Sequence, residues 1–453
     1  MAKSKKNNSR EGQKAYVVAV DMGYGHQRAA DPLHILAYKN KVINANNYAG
    51  IPKSDRDFWH ESRELYEWLS KFKKTPIIGQ KVWDFFDKFQ KIPSFYPKRD
   101  LSDPNMQLKY FLTFIKRGWG KHLITKLEQK PLPMISTFFV TSFMAEYYKY
   151  SEEIYCLATD TDISRTWVPI NPAQSRINYF APNYRVAQRL QLYGVRPEKI
   201  FLTGFPLPNE NLGGADLKTL KLDLGRRLYN LDPKKKYISR YKDTICEQIG
   251  KKCFPKTKHH PLTITFAVGG AGAQRELGIE IIKSLKRKIL KKQVRVNLVA
   301  GIRNEVNSYF KGQVRHLGLG NYLGKNITTV HAPNKEQYFK RFNRVLRTTD
   351  ILWTKPSELS FYTALGLPIV MAPPIGSQEF FNRKWLTTIA SGIDQEDPQY
   401  THQWLYDWLD SGWFAEAAME GFMEAPKYGT FNIQKIIEHK VQETKVMKTV
   451  LQY

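Results

Sequence analysis

Two apolar segments of this chain each run directly into a glycine-rich turn, and the two turns lie half the chain apart. Residues 15–20 (AYVVAV) lead into residues 21–26 (DMGYGH), and residues 262–268 (LTITFAV) lead into residues 269–272 (GGAG). Glycine permits a turn at positive φ and lets a ligand approach the main chain. A helix that follows such a turn presents free N–H groups and a positive dipole end, which favours a phosphate. The pattern predicts two doubly wound α/β domains with parallel sheets that face a shared cleft.

The alternation of strand and helix patterns supports this fold class and sets the predicted domain limits. Repeated βα units favour a parallel sheet. We predict strands near residues 15–20, 42–45, 133–140, 154–160, 177–182, 199–203, 262–268, 294–300, 327–331, 350–353 and 368–372, and helices near 27–39, 142–150 and 184–193. The predicted domains are a disordered basic arm over 1–14, an N-terminal domain over 15–209, a linker with a basic insertion over 210–260, a C-terminal domain over 261–400 and C-terminal helices over 401–453.

The most aromatic part of the chain carries three apolar sets at helical spacing. Each set occupies positions i, i+3, i+4 and i+7, which places it on one helical face. The sets are Leu65, Trp68, Leu69 and Phe72; Val82, Phe85, Phe86 and Phe89; and Leu108, Phe111, Leu112 and Ile115. Lysines and arginines are interspersed among them. The pattern predicts either three helices packed on a core or basic amphipathic helices at a membrane interface, and both interpretations stay open.

A formal net charge of +28 is the second unusual feature of this chain. Such a chain is attracted to polyanions, namely nucleic acid, an anionic membrane face or phosphorylated substrates. We find no motif for specific recognition of nucleic acid. The three cysteines lack metal-ligand or redox-motif spacing, which favours a reduced compartment. We therefore expect a basic cytoplasmic protein, with peripheral attachment to the inner face of the membrane as a further expectation.

Several short motifs occur in the order seen in the GT-B glycosyltransferases. The chain resembles in particular the family of diacylglycerol glycosyltransferases (monogalactosyldiacylglycerol synthase-like) and the lipid II-forming N-acetylglucosaminyltransferase. Residues 21–30 resemble that family's first glycine loop and its histidine, and Thr159-Asp160 with residues 167–169 resembles its TD…W segment. Residues 180–206, which close the N-terminal domain in the family, are the most similar stretch.

The second half of the chain carries the motifs that the family uses for its nucleotide-sugar donor. Residues 269–272 resemble the second glycine loop, residues 300–304 the segment that reaches towards the base, and residues 378–382 a sugar-contacting QE..N motif. We place the following residues in a predicted nucleotide-sugar site: Gly269, Gly270, Gly272, Arg303, Asn304, His331, Lys355, Glu358, Gln378, Glu379 and Asn382.

The chain departs from the family at one site position. The family has a ribose-holding glutamate five residues before the glycine of a GLP motif, where this chain has Phe361. Glu358 lies one helical turn away, on roughly the same face, and we expect it to take the ribose role.

The resemblance implies an inverting, metal-independent glycosyltransferase. Its donor would be a nucleotide-diphosphate sugar, expected to be a UDP-sugar, and its acceptor a lipid-linked or other hydroxyl. Helix N-termini after residues 269–272, with Arg275 or Arg303, would stabilise the departing diphosphate. His26 and Asp160 follow strand ends, where doubly wound folds bind ligands, and are the candidate bases. Gly23 and Gly25 would form the acceptor-side loop.

Other functions remain open on the same residues. Asp160-Thr161-Asp162 superficially resembles a paired-aspartate metal site, but we expect neither a metal nor a cofactor. The expected partners are a nucleotide sugar and either an anionic membrane surface or a lipid acceptor. We do not expect the protein to recognise a specific nucleic acid. One alternative is a soluble sugar-nucleotide enzyme of the epimerase kind. The other is a degenerate GT-B scaffold that binds a polyanion, an interpretation that Phe361 and the net charge favour.

Overall fold

The protein is described here by a computed structural model. It describes residues 12, 14–61, 92–254, 260–267, 274–374 and 376–438. The chain divides into two compact units. The first unit holds the residues up to Met22, Ala29–Pro206 and those from Tyr428 onward; the second holds Gly23–Arg28 and Leu207–Lys427. A short segment from the first glycine turn is therefore part of the second unit.

The first unit is built on a six-stranded parallel sheet. Its strands are β1 (Tyr16–Ala19), β2 (Ile43–Asn44), β3 (Met134–Ser136), β4 (Ile154–Leu157), β5 (Asn178–Ala181) and β6 (Ile200–Leu202). Their order is β2-β1-β3-β4-β5-β6. Strands β1, β3, β4 and β5 are buried along their whole length, as expected for a parallel sheet covered on both faces. The direction of chain progression reverses between β1 and β3, which makes that gap the switch point of this sheet.

Helices of the first unit pack their apolar positions on this sheet. They are Met106–Lys116, Lys121–Glu128, Phe139–Tyr147, Tyr184–Leu192 and Gly429–Glu438, with 3-10 turns at Asp31–Ile35, Tyr38–Asn40, Arg165–Trp167, Pro172–Gln174 and Pro197–Lys199. Residues 53–61 are also helical. The side chain of Asn183 accepts from the Val186 amide at 2.9 Å, which caps the helix Tyr184–Leu192. Leu108 and Ile115 are fully buried in the core.

The second unit contains a second six-stranded parallel sheet. Its strands are β7 (Leu262–Ala267), β8 (Val294–Gly301), β9 (Ile327–His331), β10 (Ile351–Thr354), β11 (Ile369–Met371) and β12 (Gly392–Asp394). Their order is β12-β11-β10-β7-β8-β9, the arrangement of dinucleotide-binding folds. The switch point lies between β7 and β10, so the loops after these two strands lie where such sheets bind ligands.

Helices of the second unit include a region that the sequence predicts to be a linker. The helices are Asn209–Leu212, Lys218–Leu231, Lys236–Ile249, Arg275–Leu290, Asn304–His316, Lys335–Leu346, Ser377–Thr388, Thr401–Ser411 and Trp413–Glu424, with 3-10 segments at Lys251–Cys253, Gly320–Tyr322, Glu358–Leu365 and Pro398–Tyr400. The short helix Gly25–Ala30 belongs to this unit up to Arg28. Most of residues 210–260 are thus helical. This region forms helices because it carries leucines at helical spacing, which form one buried apolar face. These are Leu220, Leu224, Leu228 and Leu231.

The predicted fold class is confirmed, since the chain forms two parallel α/β sheets. Every predicted strand is present, with ends that differ by a few residues. The helix predicted over 27–39 is wrong: the α-helix runs Gly25–Ala30, and a 3-10 turn with Pro32 follows. The predicted strand over 133–140 is too long, because the helix Phe139–Tyr147 begins inside it. Strand β12 is not predicted.

The three aromatic sets fare differently. The third set lies in the helix Met106–Lys116, so its predicted helix is confirmed. The first two sets, and nearly all of the predicted arm over 1–14, lie outside the described residues. Within the part of the chain that the structure describes, no helix is both long enough and apolar enough to cross a bilayer.

Candidate functional site

The loops that follow the strands of the second sheet bring most of the predicted site residues to one edge. Arg303 follows β8, His331 ends β9, Lys355 and Glu358 follow β10, and Glu379 follows β11. Because all six strands are parallel, their carboxyl ends meet at the same edge of the sheet. Lys355 and Glu358 lie at the switch point, where doubly wound sheets bind ligands.

Glu358 is the first residue of the 3-10 helix Glu358–Leu365 and makes an ion pair with Arg28. The Arg28 Nε atom donates to the Glu358 Oε1 atom at 3.1 Å. The second carboxylate oxygen, Oε2, accepts no hydrogen bond from any described residue. A Cβ atom at Gly25 would lie 3.4 Å from this oxygen, so glycine leaves the space beside it open.

Aromatic rings surround Arg28, whose side chain is only 3% exposed. Its guanidinium carbon lies 4.6 Å from the ring centroid of Phe342 and 5.1–5.8 Å from the centroids of Phe339, Tyr338 and Tyr362. Its Nη2 atom donates to the Tyr338 hydroxyl at 3.0 Å. Burial alone would lower the pKa of Arg28, but Tyr338, Tyr362 and Glu358 together raise it above its usual value. The guanidinium is therefore permanently charged.

Tyr24 anchors the same segment further along the sheet edge. The Ile302 amide donates to the Tyr24 hydroxyl at 3.0 Å, and the Tyr24 ring lies 5.1 Å from the ring of Tyr338. Burial raises the pKa of Tyr24 to about 12. Gly301 has φ +65°, and a Cβ there would lie 2.3 Å from the Tyr24 hydroxyl. Glycine at 301 is thus required both by the backbone and by the tyrosine.

Lys355 and Glu379 form a second ion pair at the switch point, between the loop after β10 and the helix Ser377–Thr388. Both side chains are largely buried, with 24% and 12% exposed. Asn382, one turn further along the same helix, is completely buried. Its Nδ2 atom donates to the Pro356 carbonyl at 3.4 Å, so this amide supports the loop that carries Lys355 and Glu358.

Two arginines and two glutamates lie near the ends of β7 and β8. Arg303 precedes the helix Asn304–His316, and its Nη1 atom lies 3.2 Å from Glu305 Oε1. The Arg275 guanidinium lies 4.3 Å from the ring centroid of Tyr309. A hydrogen bond from its own backbone amide, with Arg303 and Arg275, lowers the pKa of Glu305. The Arg275 Nε atom also lies 3.2 Å from Glu276 Oε1, so each of the two arginines is paired with a carboxylate. A guanidinium group carries five N–H donors, more than one carboxylate contact uses.

His331 ends β9 with a ring nitrogen that finds no partner. Its Nε2 atom is buried and has no hydrogen-bond partner among the described residues. Its backbone carbonyl accepts a hydrogen bond from Arg341. The ring thus keeps a buried polar atom that no described residue satisfies.

Phe361 is part of the core rather than of the sheet edge. The side chain is 2% exposed and its ring lies 5.4 Å from that of Trp385. Glu358 stands three positions earlier, at the start of the 3-10 helix. Of these two residues, only the glutamate presents a polar group to the loops described above.

The two candidate bases belong to different units. His26 is half-buried in the short helix Gly25–Ala30 of the second unit, and Asp160 is half-buried in the loop after β4 of the first. The neighbouring Asp162 is not available to a metal, because its Oδ1 accepts from Arg189 Nε at 2.8 Å. Its Oδ2 accepts from Arg189 Nη2 and Arg185 Nε, each at 2.9 Å.

Other predicted residues are located as follows. Gly269, Gly270 and Gly272 lie outside the described residues. Gly23 has φ +113°. Asn304 is exposed at the start of its helix, and Gln378 is half-buried near the start of the helix Ser377–Thr388. Over the described residues, no group of three or more His, Cys, Asp or Glu side chains is placed to hold a metal ion.

Sequence reasoning misses Tyr24, Arg28 and Tyr338. Arg28 is followed by Ala29 and Ala30, and all three residues are buried. The two small apolar neighbours are the sequence feature that could have indicated that Arg28 is buried. Tyr338 lies in the helix Lys335–Leu346, far along the chain, and nothing in either segment indicates that they meet.

Comparisons with known proteins give the following similarities. A family model described as a domain of unknown function, DUF6938, matches residues 236–432. No curated protein matches the chain. The solved structures similar to it include the following three. A Neisseria meningitidis UDP-GlcNAc 2-epimerase bound to UDP-GlcNAc is 13% identical with a TM-score of 0.45, covering 97% of this chain and 100% of that one. A Rickettsia africae glycosyltransferase is 11% identical with a TM-score of 0.42, covering 97% and 99%. Acinetobacter baumannii MurG is 13% identical with a TM-score of 0.41, covering 83% and 95%.

Proposed function

We propose that the second unit binds a nucleotide-diphosphate sugar at the carboxyl edge of its sheet, and that the protein is a glycosyltransferase. The observation that carries the proposal is the location of Lys355 and Glu358, which follow β10 at the switch point of a dinucleotide-binding strand order. Ligands of such sheets bind at that point.

Each part of a nucleotide sugar has a matching group at this edge. The diphosphate suits the side chains of Arg275 and Arg303, since guanidinium groups bind phosphate oxygens in a bidentate manner. A ribose hydroxyl suits the open Oε2 atom of Glu358, because a carboxylate only accepts hydrogen bonds. The unused Nε2 atom of His331 suits a polar edge of the base.

The reaction we propose is inverting transfer of the sugar to a hydroxyl acceptor, without a metal. A base removes the acceptor's proton, the acceptor oxygen attacks the anomeric carbon, and the nucleoside diphosphate leaves with the bonding electron pair. Arg275 and Arg303 would stabilise the charge on the leaving group. His26 and Asp160 are the candidate bases, and a UDP-sugar is the expected donor. We also propose that the acceptor hydroxyl is carried by a lipid and that the protein binds peripherally to a membrane.

Binding is the first test. The full chain is titrated by calorimetry with UDP, GDP and ADP and with their glucose and N-acetylglucosamine conjugates. We expect one nucleotide series to bind and to raise the melting temperature, because a ligand at about 100 times its Kd adds about 2.7 kcal/mol of stability. Replacing Lys355 by Met should weaken binding. Lys340→Met is the matched control, since Lys340 makes an exposed ion pair with Glu336 at 2.8 Å. If no nucleotide binds the wild-type chain, the proposal is wrong.

Product analysis separates the transferase from an epimerase. A sugar-labelled donor is incubated with the protein and a lipid extract. Transfer releases free nucleoside diphosphate and moves the label to the organic phase, whereas epimerisation keeps the label on the nucleotide and changes only the stereochemistry of the sugar. A labelled nucleotide sugar with altered stereochemistry and no released nucleotide would favour the epimerase.

The candidate bases are tested by Asp160→Asn and His26→Gln. Loss of a general base costs about 10²–10⁴ in rate. We expect one of the two variants to lose turnover to this extent while its affinity for the donor stays near that of the wild type. Full turnover in both variants would exclude both residues from this role.

A further inference from the structure

Arg28 is a buried cation, and not all of its hydrogen-bond donors have a partner among the described residues. Its Nε and Nη2 atoms donate to Glu358 and Tyr338. Its Nη1 atom is buried and has no hydrogen-bond partner among the described residues. A buried ion pair is a weak source of stability, because desolvation of the two charges offsets much of their attraction. The energetics therefore give little reason to expect Arg28 on structural grounds alone.

The contacts of Arg28 hold one carboxylate in one orientation. The four surrounding rings and the Tyr338 hydroxyl fix the guanidinium. The guanidinium in turn takes Oε1 of Glu358. Rotation of the carboxylate away from Arg28 would leave a buried charge without its partner, which is costly. Glu358 is thus held with Oε2 directed towards Gly25, where a Cβ atom would lie 3.4 Å from it.

We propose that Arg28 is a positioning residue, which orients Glu358 so that its free oxygen accepts a hydrogen bond from a ribose hydroxyl of the donor. This inference rests on the proposed function, because it assumes that a nucleotide binds at this sheet edge. Arg28 itself does not touch the ligand. Its effect on binding passes through Glu358 alone, and it therefore governs the preference for a ribose over a deoxyribose.

The test compares ribonucleoside and 2′-deoxyribonucleoside diphosphates on the full chain. Dissociation constants for UDP, GDP, ADP and their 2′-deoxy forms are measured by calorimetry. A hydrogen bond to a charged acceptor corresponds to about a tenfold or greater preference for the ribo form. We expect this preference in the wild type, and its near-complete loss in Glu358→Gln and Arg28→Met. In the double variant the two losses should not add, because both act on the same contact.

Two further variants keep the test decisive. Tyr338→Phe removes only the hydroxyl that accepts from Arg28, and should lower the ribose preference by about twofold or more, even if Arg28→Met fails to fold. Arg347→Met is the matched control, since Arg347 makes a bidentate pair with Asp223 at 2.8 and 3.2 Å in the same unit. It should leave the ribose preference unchanged.

The outcomes distinguish this inference from the proposed function. If no nucleoside diphosphate binds the wild type, the proposed function fails and the inference fails with it. If nucleotides bind but folded Arg28→Met and Tyr338→Phe keep the wild-type ribose preference, only the inference is overturned. A wild type that binds both forms equally also overturns it.

Discussion

Asp162 offers the sharpest test of how the first unit is held together. Its carboxylate is 1% exposed and accepts from two arginines. Arg189 is completely buried, and its guanidinium group carries a positive charge. Replacing Asp162 by Asn keeps the shape of the side chain but removes its charge. One carboxylate oxygen, which accepts a hydrogen bond from an arginine, becomes an amide NH₂ group that faces the N–H donor of that arginine.

The expected loss follows from these contacts. Breaking a buried ion pair by removing one partner costs about 3–5 kcal/mol, mainly because the other charge stays buried without compensation. For a unit of this size, each kcal/mol shifts the melting temperature by about 2–4 °C. We therefore expect Asp162→Asn to lower the melting temperature of the first unit by about 6–20 °C.

Urea unfolding and hydrogen exchange measure this loss. Exchange of the amides in the helix Tyr184–Leu192, which carries both arginines, localises the effect. The control is Glu198→Gln, whose partner Arg196 lies 3.4 Å away with both side chains about half exposed. An exposed pair of this kind contributes about 0–1 kcal/mol. If Asp162→Asn were no more destabilising than Glu198→Gln, the argument from buried charge would be refuted.

Three further predictions concern single positions and pH. Gly301→Ala should destabilise the second unit by about 2 kcal/mol or more in urea unfolding, because φ is +65° and the new Cβ would lie 2.3 Å from the Tyr24 hydroxyl; an unchanged midpoint would contradict this. Asn183→Ala should cost about 1–3 kcal/mol in urea unfolding, because it removes a helix cap and the buried Nδ2 donor that lies 3.1 Å from the Thr161 carbonyl; Asn183→Asp keeps the capping oxygen but loses the same donor, and should also be destabilising. Burial raises the pKa of Tyr24, Tyr148 and Tyr406 to about 12, while unfolded tyrosines ionise near 10. The unfolded chain therefore releases these protons first, and stability should fall as pH rises from about 10 to about 12; a urea midpoint that is flat over this window would contradict it.

The sequence predicts the two sheets well because their strands are short apolar runs bounded by turns. In a parallel sheet every strand is buried on both faces, so strands such as β7 and β8 stand out in any apolar pattern. Strand β12 escapes prediction because Gly392-Ile393-Asp394 contains a single large apolar residue. The helix predicted over 27–39 is too long because the apolar spacing continues past Pro32, although a proline at that position is a signal that the helix ends before it.

The candidate site is predictable only where one loop carries it. Arg303, Lys355, Glu358 and Glu379 each follow a strand, and parallel strands bring such loops together by topology alone. The partners of these residues come from distant segments, as Arg28 does for Glu358, and side-chain pairing at that range leaves no periodic signal in the sequence. Burial of Phe361 and Asn382 depends on packing in the same way.

The placement of Arg28 has a consequence for synthesis of the chain and for any attempt to shorten it. Glu358 and Tyr338 lie 330 and 310 residues beyond it, so on the ribosome this arginine emerges long before the groups that will neutralise and enclose it. A fragment cut at Leu207 and Lys427, the limits of the long segment of the second unit, would lack the cation that its aromatic side chains enclose in the full chain. Supplying a peptide that spans Gly23–Arg28 in trans is then the natural way to complete it.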